Sequence, residues 1–170
     1  FQFFLFYKGG DEKGPFSVSK EDVEEYGIIP IQSNQLSKDQ AMDVQSACNE
    51  KFDFIIDDGA HMNDAIHYSF GALFPLLKSG GFYIIEDLWT ANRRTPESVN
   101  NWLDNSGHVF CEKKLYHSDE VHFFESMEHY STSKKWKSLL LQDSEKEYIE
   151  NNIKDYTFKC GKNICIIVKR

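Results

Sequence analysis

The sequence of 170 residues has no apolar run of membrane-spanning length, no CxxC pair, no GxGxxG loop and only four prolines. Each absence removes a class of protein. A bilayer span needs about 20 consecutive apolar residues, whereas the apolar opening FQFFLFY, Phe1 to Tyr7, has the length of a buried strand. Cys48, Cys111, Cys160 and Cys165 lack the spacing of zinc or redox motifs and read as reduced thiols of a cytoplasmic protein. Positive charge is also short. Nineteen Lys and Arg against 27 Asp and Glu give a formal net charge of -8, the opposite of a phosphate-binding surface. Neither nucleic acid nor membrane is an expected partner. Aromatic residues, by contrast, are abundant at 15%, which supplies a core and argues against a disordered tail. The length fits a single domain, residues 1–170.

Strand and helix signals alternate along the chain. Strands are expected at Phe1 to Tyr7 and at Ile28 to Gln32, where Pro30 marks an edge or a strand start. Ser19 opens a short helix to Tyr26, and Ser37 caps a helix from Lys38 to Asn49. Strand Phe52 to Asp57, helix Asn63 to Leu77 and strand Phe82 to Glu86 follow, with Lys78-Ser79-Gly80-Gly81 as helix stop and turn. Beyond these, a helix is expected at Glu97 to Asn105, strands at Val109 to Tyr116 and Val121 to Phe124, and helices at Ser133 to Leu141 and Ser144 to Asn152. Tyr156 to Cys160 and Asn163 to Val168 alternate about Gly161-Lys162 as a terminal hairpin. This order predicts an α/β fold, a Rossmann-like three-layer sandwich with a mostly parallel sheet and a C-terminal antiparallel hairpin. The sequence starts without Met, inside an apolar run, so an N-terminally truncated fold is expected.

The chemistry concentrates between Phe52 and Thr90. Two apolar runs end in paired acids, Asp57-Asp58 and Glu86-Asp87, and an amphipathic helix joins them. Strand, helix, strand makes a crossover with parallel neighbours, so both pairs emerge at the carboxyl edge of one sheet, where open α/β sheets bind ligands. Successive strand residues point to opposite faces, so only one of Asp57 and Asp58 can share the cleft with the second pair. Converging carboxylates repel unless a cation or a shared proton relieves them, and oxygen ligands favour Mg²⁺, Mn²⁺ or Ca²⁺ over zinc. Acids at strand ends also cap helices or face water. His61, three residues after Asp58, is placed to act as a base at such an ion, or as a surface or capping histidine. His67 is expected to be exposed further along the helix. Trp89, Thr90 and Asn92 could wall the cleft or simply pack the loop.

The stretch FDFIIDDGAHMNDAIHYSFGALFPLLKSGGFYIIEDLWT resembles the metal-dependent class I S-adenosylmethionine methyltransferases of the macrocin and mycinamicin sugar O-methyltransferase type, and the related cephalosporin-hydroxylase-like group. The resemblance implies Mg²⁺ (or Mn²⁺) held by Asp58, Glu86 and Asp87, with His61 as general base. It also implies S-adenosylmethionine, with Asn34 and Gln35 near the adenine and Asp57 on the cofactor side. Where that group has Gly-Asp-Gln, this chain has Ser33-Asn34-Gln35, and the group's glycine-rich cofactor loop has no counterpart here. The implied activity is methyl transfer to a sugar hydroxyl or similar small polar acceptor, a glycosidic small molecule being the expected partner, with a homo-oligomer among the expected states. A non-catalytic scaffold of the same fold and a different metal-assisted enzyme are the competing readings.

Overall fold

The computed structural model describes residues 3–7, 25, 28–88 and 121–170. The elements expected at Glu97 to Asn105 and Val109 to Tyr116, and nearly all of the helix at Ser19 to Tyr26, lie outside those residues.

Two parallel strands open the chain, β1 (Phe3–Tyr7) and β2 (Ile28–Gln32), paired from Phe3 opposite Ile28 to Tyr7 opposite Gln32. Pro30, opposite Leu5, offers no N–H to a further strand, and β2 has no second neighbour among the described residues. Helix α1 (Lys38–Ala47) begins at Ser37, whose side chain accepts from the Gln40 N–H. Strand β3 (Phe52–Asp57), helix α2 (Asn63–Leu73) and strand β4 (Leu77–Ile85) form the anticipated parallel crossover. Helix α3 (Phe123–Ser133) and helix α4 (Asp143–Asn152) lead into the antiparallel strands β5 (Ile153–Lys159) and β6 (Ile164–Lys169). β6 lies between β4 and β5, giving the order β3-β4-β6-β5. The described strands thus form a mixed four-stranded sheet and a separate parallel pair.

Several expectations need correction. The helix from Asn63 stops at Leu73, because Pro75 tightens the last turn into a short 3₁₀ segment, Phe74–Leu76. β4 therefore starts at Leu77, not Phe82. Its register jumps from Phe52 opposite Leu77 to Phe54 opposite Phe82, so Lys78 to Gly81 bulge out of the ladder, with Gly80 at φ 79°. Val121 to Phe124 is no strand but the approach to α3. Its β-prone residues are overruled by a tertiary cap: Asn63 Oδ1 accepts from the Phe123 N–H at 2.8 Å, and Asn63 Nδ2 donates to Val121 O at 3.0 Å. The helix expected at Ser133 to Leu141 is absent, because Lys134 ends α3 in the left-handed region and the Ser138 hydroxyl accepts from the backbone of Leu140 and Leu141.

The core lies where α2 meets the inner face of the sheet. Phe70 is its hub, with ring centroids 4.8 Å from Phe74, 5.1 Å from Tyr83, 5.2 Å from Phe123 and 5.3 Å from Trp136. His67, expected at the surface, is fully buried. α3 and the irregular segment after it close over that side of α2, placing His67 5.4 Å from Phe123 and 6.3 Å from Trp136, with Nε2 3.1 Å from Val121 O. Burial lowers its pKa to about 4. At the other end of the sheet Lys169 is buried too, donating to the carbonyls of Phe74, Pro75 and Leu77 at 3.4, 3.0 and 2.7 Å. No helix among the described residues is long and apolar enough to cross a membrane.

Candidate metal and methyl-transfer site

Because β3 and β4 are parallel neighbours, with Asp57 opposite Ile85, their carboxyl ends release Asp58 and Asp87 at the same edge. The two side chains meet at His61. Its Nε2 is 3.7 Å from Asp58 Oδ1 and 3.7 Å from Asp87 Oδ2. One ligand atom from each of Asp58, His61 and Asp87 can be chosen so that all lie within 4.8 Å of one another. Two carboxylate oxygens and an imidazole nitrogen at this spacing fit a hard or borderline divalent ion. Glu86 is half-buried and lies outside that group. Its N–H donates to Asp57 O at 3.0 Å, continuing the ladder one residue past the strand.

Backbone strain marks the same place. His61 has φ 49° and Asp87 φ 52°, a region where a side chain costs on the order of 1 kcal/mol. Each is held there by neighbours. On the His61 side the fastening is Gln35. Its Oε1 accepts from the Ala60 N–H at 2.6 Å, while Nε2 donates to Asp57 Oδ1 at 2.6 Å and to Ser69 Oγ at 2.7 Å. Gly59 lies so close that a Cβ there would sit 2.7 Å from Gln35 Cδ and 2.8 Å from Nε2, so the loop closes on Gln35 only with glycine at this position. On the Asp87 side, Asn163 Nδ2 donates to Asp87 Oδ1 at 2.9 Å.

Asp57 and Asp58 part company as strand geometry requires. Asp58 is exposed at the edge, whereas Asp57 is buried beneath it. Besides Gln35, Asp57 accepts from Tyr83 OH at 3.2 Å. Burial raises its pKa to about 6, outweighing the hydrogen bonds from Gln35 and Tyr83 that pull it down. Asn34, half-buried, uses its Oδ1 to accept from the Leu36 N–H at 3.1 Å, an Asx-type turn leading into α1. Gln35 and Asp57, read from the sequence as cofactor-side residues, thus turn their polar atoms inward to the loop that carries Asp58 and His61. Trp89, Thr90 and Asn92 lie outside the described residues. Asn163, Ser69 and Tyr83 had no signal in the sequence, since each reaches the site through tertiary contact alone.

No family model matches the chain. Its sequence is similar to that of mycinamicin VI 2''-O-methyltransferase from Micromonospora griseorubida, 40% identical over 86 residues, which is 51% of this chain and 21% of that protein. It is also similar to demethylmacrocin O-methyltransferase from Streptomyces fradiae, 60% identical over 40 residues, 24% of this chain and 10% of that one. The solved MycE methyltransferase from the mycinamycin biosynthetic pathway, in complex with Mg, SAH and mycinamycin VI, superposes with a TM-score of 0.61 at 20% identity, covering 99% of this chain and 44% of its own. The chain thus spans less than half the length of the relatives it matches. The fold is that of a methyltransferase. Within that class, the sequence resemblance is to the macrocin and mycinamicin sugar O-methyltransferase group.

Proposed function

We propose that the protein is, or is part of, a Mg²⁺-dependent O-methyltransferase that uses S-adenosylmethionine to methylate a hydroxyl of a sugar or a similar small polar, glycosylated molecule. The observation that carries this reading is the meeting of Asp58, His61 and Asp87 from the ends of two adjacent parallel strands. It is supported by similarity to O-methyltransferases, two of them named for substrates that carry a rhamnosyl or an olivosyl group. Asp58 and Asp87 would hold the ion, with Glu86 as the third carboxylate that the resemblance implies. A divalent ion in that place supplies Lewis-acid activation of an acceptor hydroxyl. S-adenosylmethionine supplies the methyl group, leaving as S-adenosylhomocysteine when the acceptor oxygen takes it. His61 Nε2 receives the hydroxyl proton, and the strained backbone at His61 and Asp87 fixes both groups before the acceptor arrives. Asn34 would face the adenine, with Gln35 and Asp57 acting behind it through the loop they hold.

The test is transfer of a labelled methyl group from S-adenosylmethionine to a panel of glycosides, with Mg²⁺ or with EDTA. Transfer that needs the metal and is lost in Asp87→Ala is the expected result. S-adenosylmethionine binding with no turnover on any acceptor would favour the scaffold reading, and turnover without S-adenosylmethionine would favour another metal-assisted enzyme. A small-molecule enzyme of this kind would act in the cytoplasm.

The same reading completes the fold. α2 covers one face of the four-stranded sheet and the other described helices pack on its side, whereas Phe54 and Ile56 are 58% and 57% exposed on the opposite face. Phe54 stacks there on Phe82 at 5.5 Å. An apolar sheet face left open among the described residues supports a three-layer Rossmann-like sandwich of which those residues supply two layers, in a chain that is a piece of a longer methyltransferase. Burial of that face against a second copy is the alternative, and the oligomeric state in solution separates the two.

A further inference from the structure

We propose that Asn163 is a positioning residue for Asp87, and that the turn between β5 and β6 is a clasp that sets one arm of the acidic cluster. The proposal rests on the reading of Asp58 and Asp87, beside His61, as a cation site.

Asn163 grips two consecutive residues. Its Nδ2 donates to Asp87 Oδ1 at 2.9 Å, and its backbone oxygen accepts from the Leu88 N–H at 3.0 Å. The two Asp87 oxygens are thereby divided. Oδ1 is engaged by the amide, and Oδ2 is the one turned to His61 Nε2 at 3.7 Å. A carboxylate on a half-exposed loop would otherwise rotate about its last torsion, which is broad for aspartate. A neutral amide fixes the rotation without adding a charge that would compete with the ion. Such donors behind a ligand carboxylate orient it for the metal.

The clasp is itself anchored. Cys160, Gly161 and Lys162 run consecutively through positive φ, at 50°, 63° and 73°, before Asn163 returns to φ -76°. Three such residues in a row persist only where the surroundings determine them. Lys162 supplies part of that determination. Its Nζ is 3.3 Å from Glu128 Oε1 and 4.0 Å from the centroid of the Phe124 ring, both on α3. Asn163 is therefore presented to Asp87 by a turn that is held from the far side.

Mn²⁺ alone is the probe, followed by loss of its free paramagnetic signal, with thermal unfolding in EDTA measured in parallel. Asn163→Ala keeps the backbone bond to Leu88 and removes only the amide, so Mn²⁺ binding should weaken roughly tenfold or more while the metal-free melting temperature hardly moves. Asn163→Ser, too short to reach Asp87, should behave the same way and serves if the alanine variant folds poorly. Lys162→Ala, which loosens the turn from its far side, should weaken Mn²⁺ binding in the same direction but less, whereas Lys154→Ala, exposed on β5, should leave it unchanged. Adding Asn163→Ala to Asp87→Asn should cause no further loss, because the amide acts through that carboxylate. A lowered melting temperature with Mn²⁺ affinity intact would overturn the clasp and leave a structural turn. Mn²⁺ binding that survives Asp87→Ala would overturn the cation site itself, and the clasp with it.

Discussion

Replacing His67 with glutamine is expected to expose a pH dependence of stability that wild-type protein largely hides. Two buried groups titrate in the same range with opposite effects. Asp57 moves from an ordinary 3.8 to about 6, so the folded state holds its proton more tightly than the unfolded chain. Its contribution is fully present below pH 4 and is lost as pH rises to about 6. His67 moves from an ordinary 6.5 to about 4, so the folded state holds its proton less tightly. Its contribution is present above pH 6.5 and is lost as pH falls to about 4. A displacement of one in pKa corresponds to about 1.4 kcal/mol, so each group accounts for roughly 3 kcal/mol across the window, with opposite sign. His67→Gln should therefore lose roughly 3 kcal/mol of stability between pH 4 and pH 6 relative to the wild-type trend, and Asp57→Asn should gain roughly as much between pH 4 and pH 6.5. The assay is urea unfolding in metal-free buffer at half-unit pH steps, read from tryptophan fluorescence, to which the buried Trp136 contributes. Packing changes shift each curve as a whole, so the slope against pH is the quantity that matters. Parallel curves for wild type and both variants would refute the reasoning.

His61→Ala should abolish methyl transfer while leaving Mn²⁺ affinity within a few-fold if His61 moves the proton; loss of both would make it a ligand instead, and paired turnover and Mn²⁺ titration decide. Gly59→Ala forces a Cβ against a Gln35 amide already held by three hydrogen bonds. It should weaken Mn²⁺ binding more than it lowers the melting temperature. Lys169→Met removes the buried ammonium shared by three carbonyls, of which Pro75 O keeps Lys51 Nζ and Phe74 O keeps the Leu77 N–H, so the loss should be about 1–3 kcal/mol in chemical denaturation, centred on Leu77 O. Asn63→Ala removes the cap of α3, at about 1–2 kcal/mol by the same measurement.

The parts of the fold visible in the sequence were those with local causes. The parallel crossover followed from two apolar runs around an amphipathic helix, and the terminal hairpin from alternation about Gly161-Lys162. What tertiary contact decides was not visible. The start of α3 carries the β-prone Val121, Phe123 and Phe124, and its cap comes from Asn63, about 60 positions earlier. His67 looked exposed because its burial depends on α3 and Trp136, which the periodicity of α2 alone does not reveal. The opposition of Asp57 and Asp58 was legible from strand geometry, and so was the nearness of Asp58 to the second acidic pair; that Asp87 and His61, and not Glu86, close on Asp58 was not. Which residues brace them was not, since Asn163 lies far away in sequence with no motif, and Gln35 was singled out for the adenine side and not for the loop it holds.

β6 is the only strand among those described that touches both β4 and β5, and it is the last of them in chain order. Until Ile164–Lys169 slots between them, β4 has one bare edge, β5 has no partner, and the amide that steadies Asp87 is not yet in place. On the proposed reading, full affinity for an ion should therefore come only with the closing of the sheet, and a molecule whose β6 is not yet seated should hold the ion more weakly.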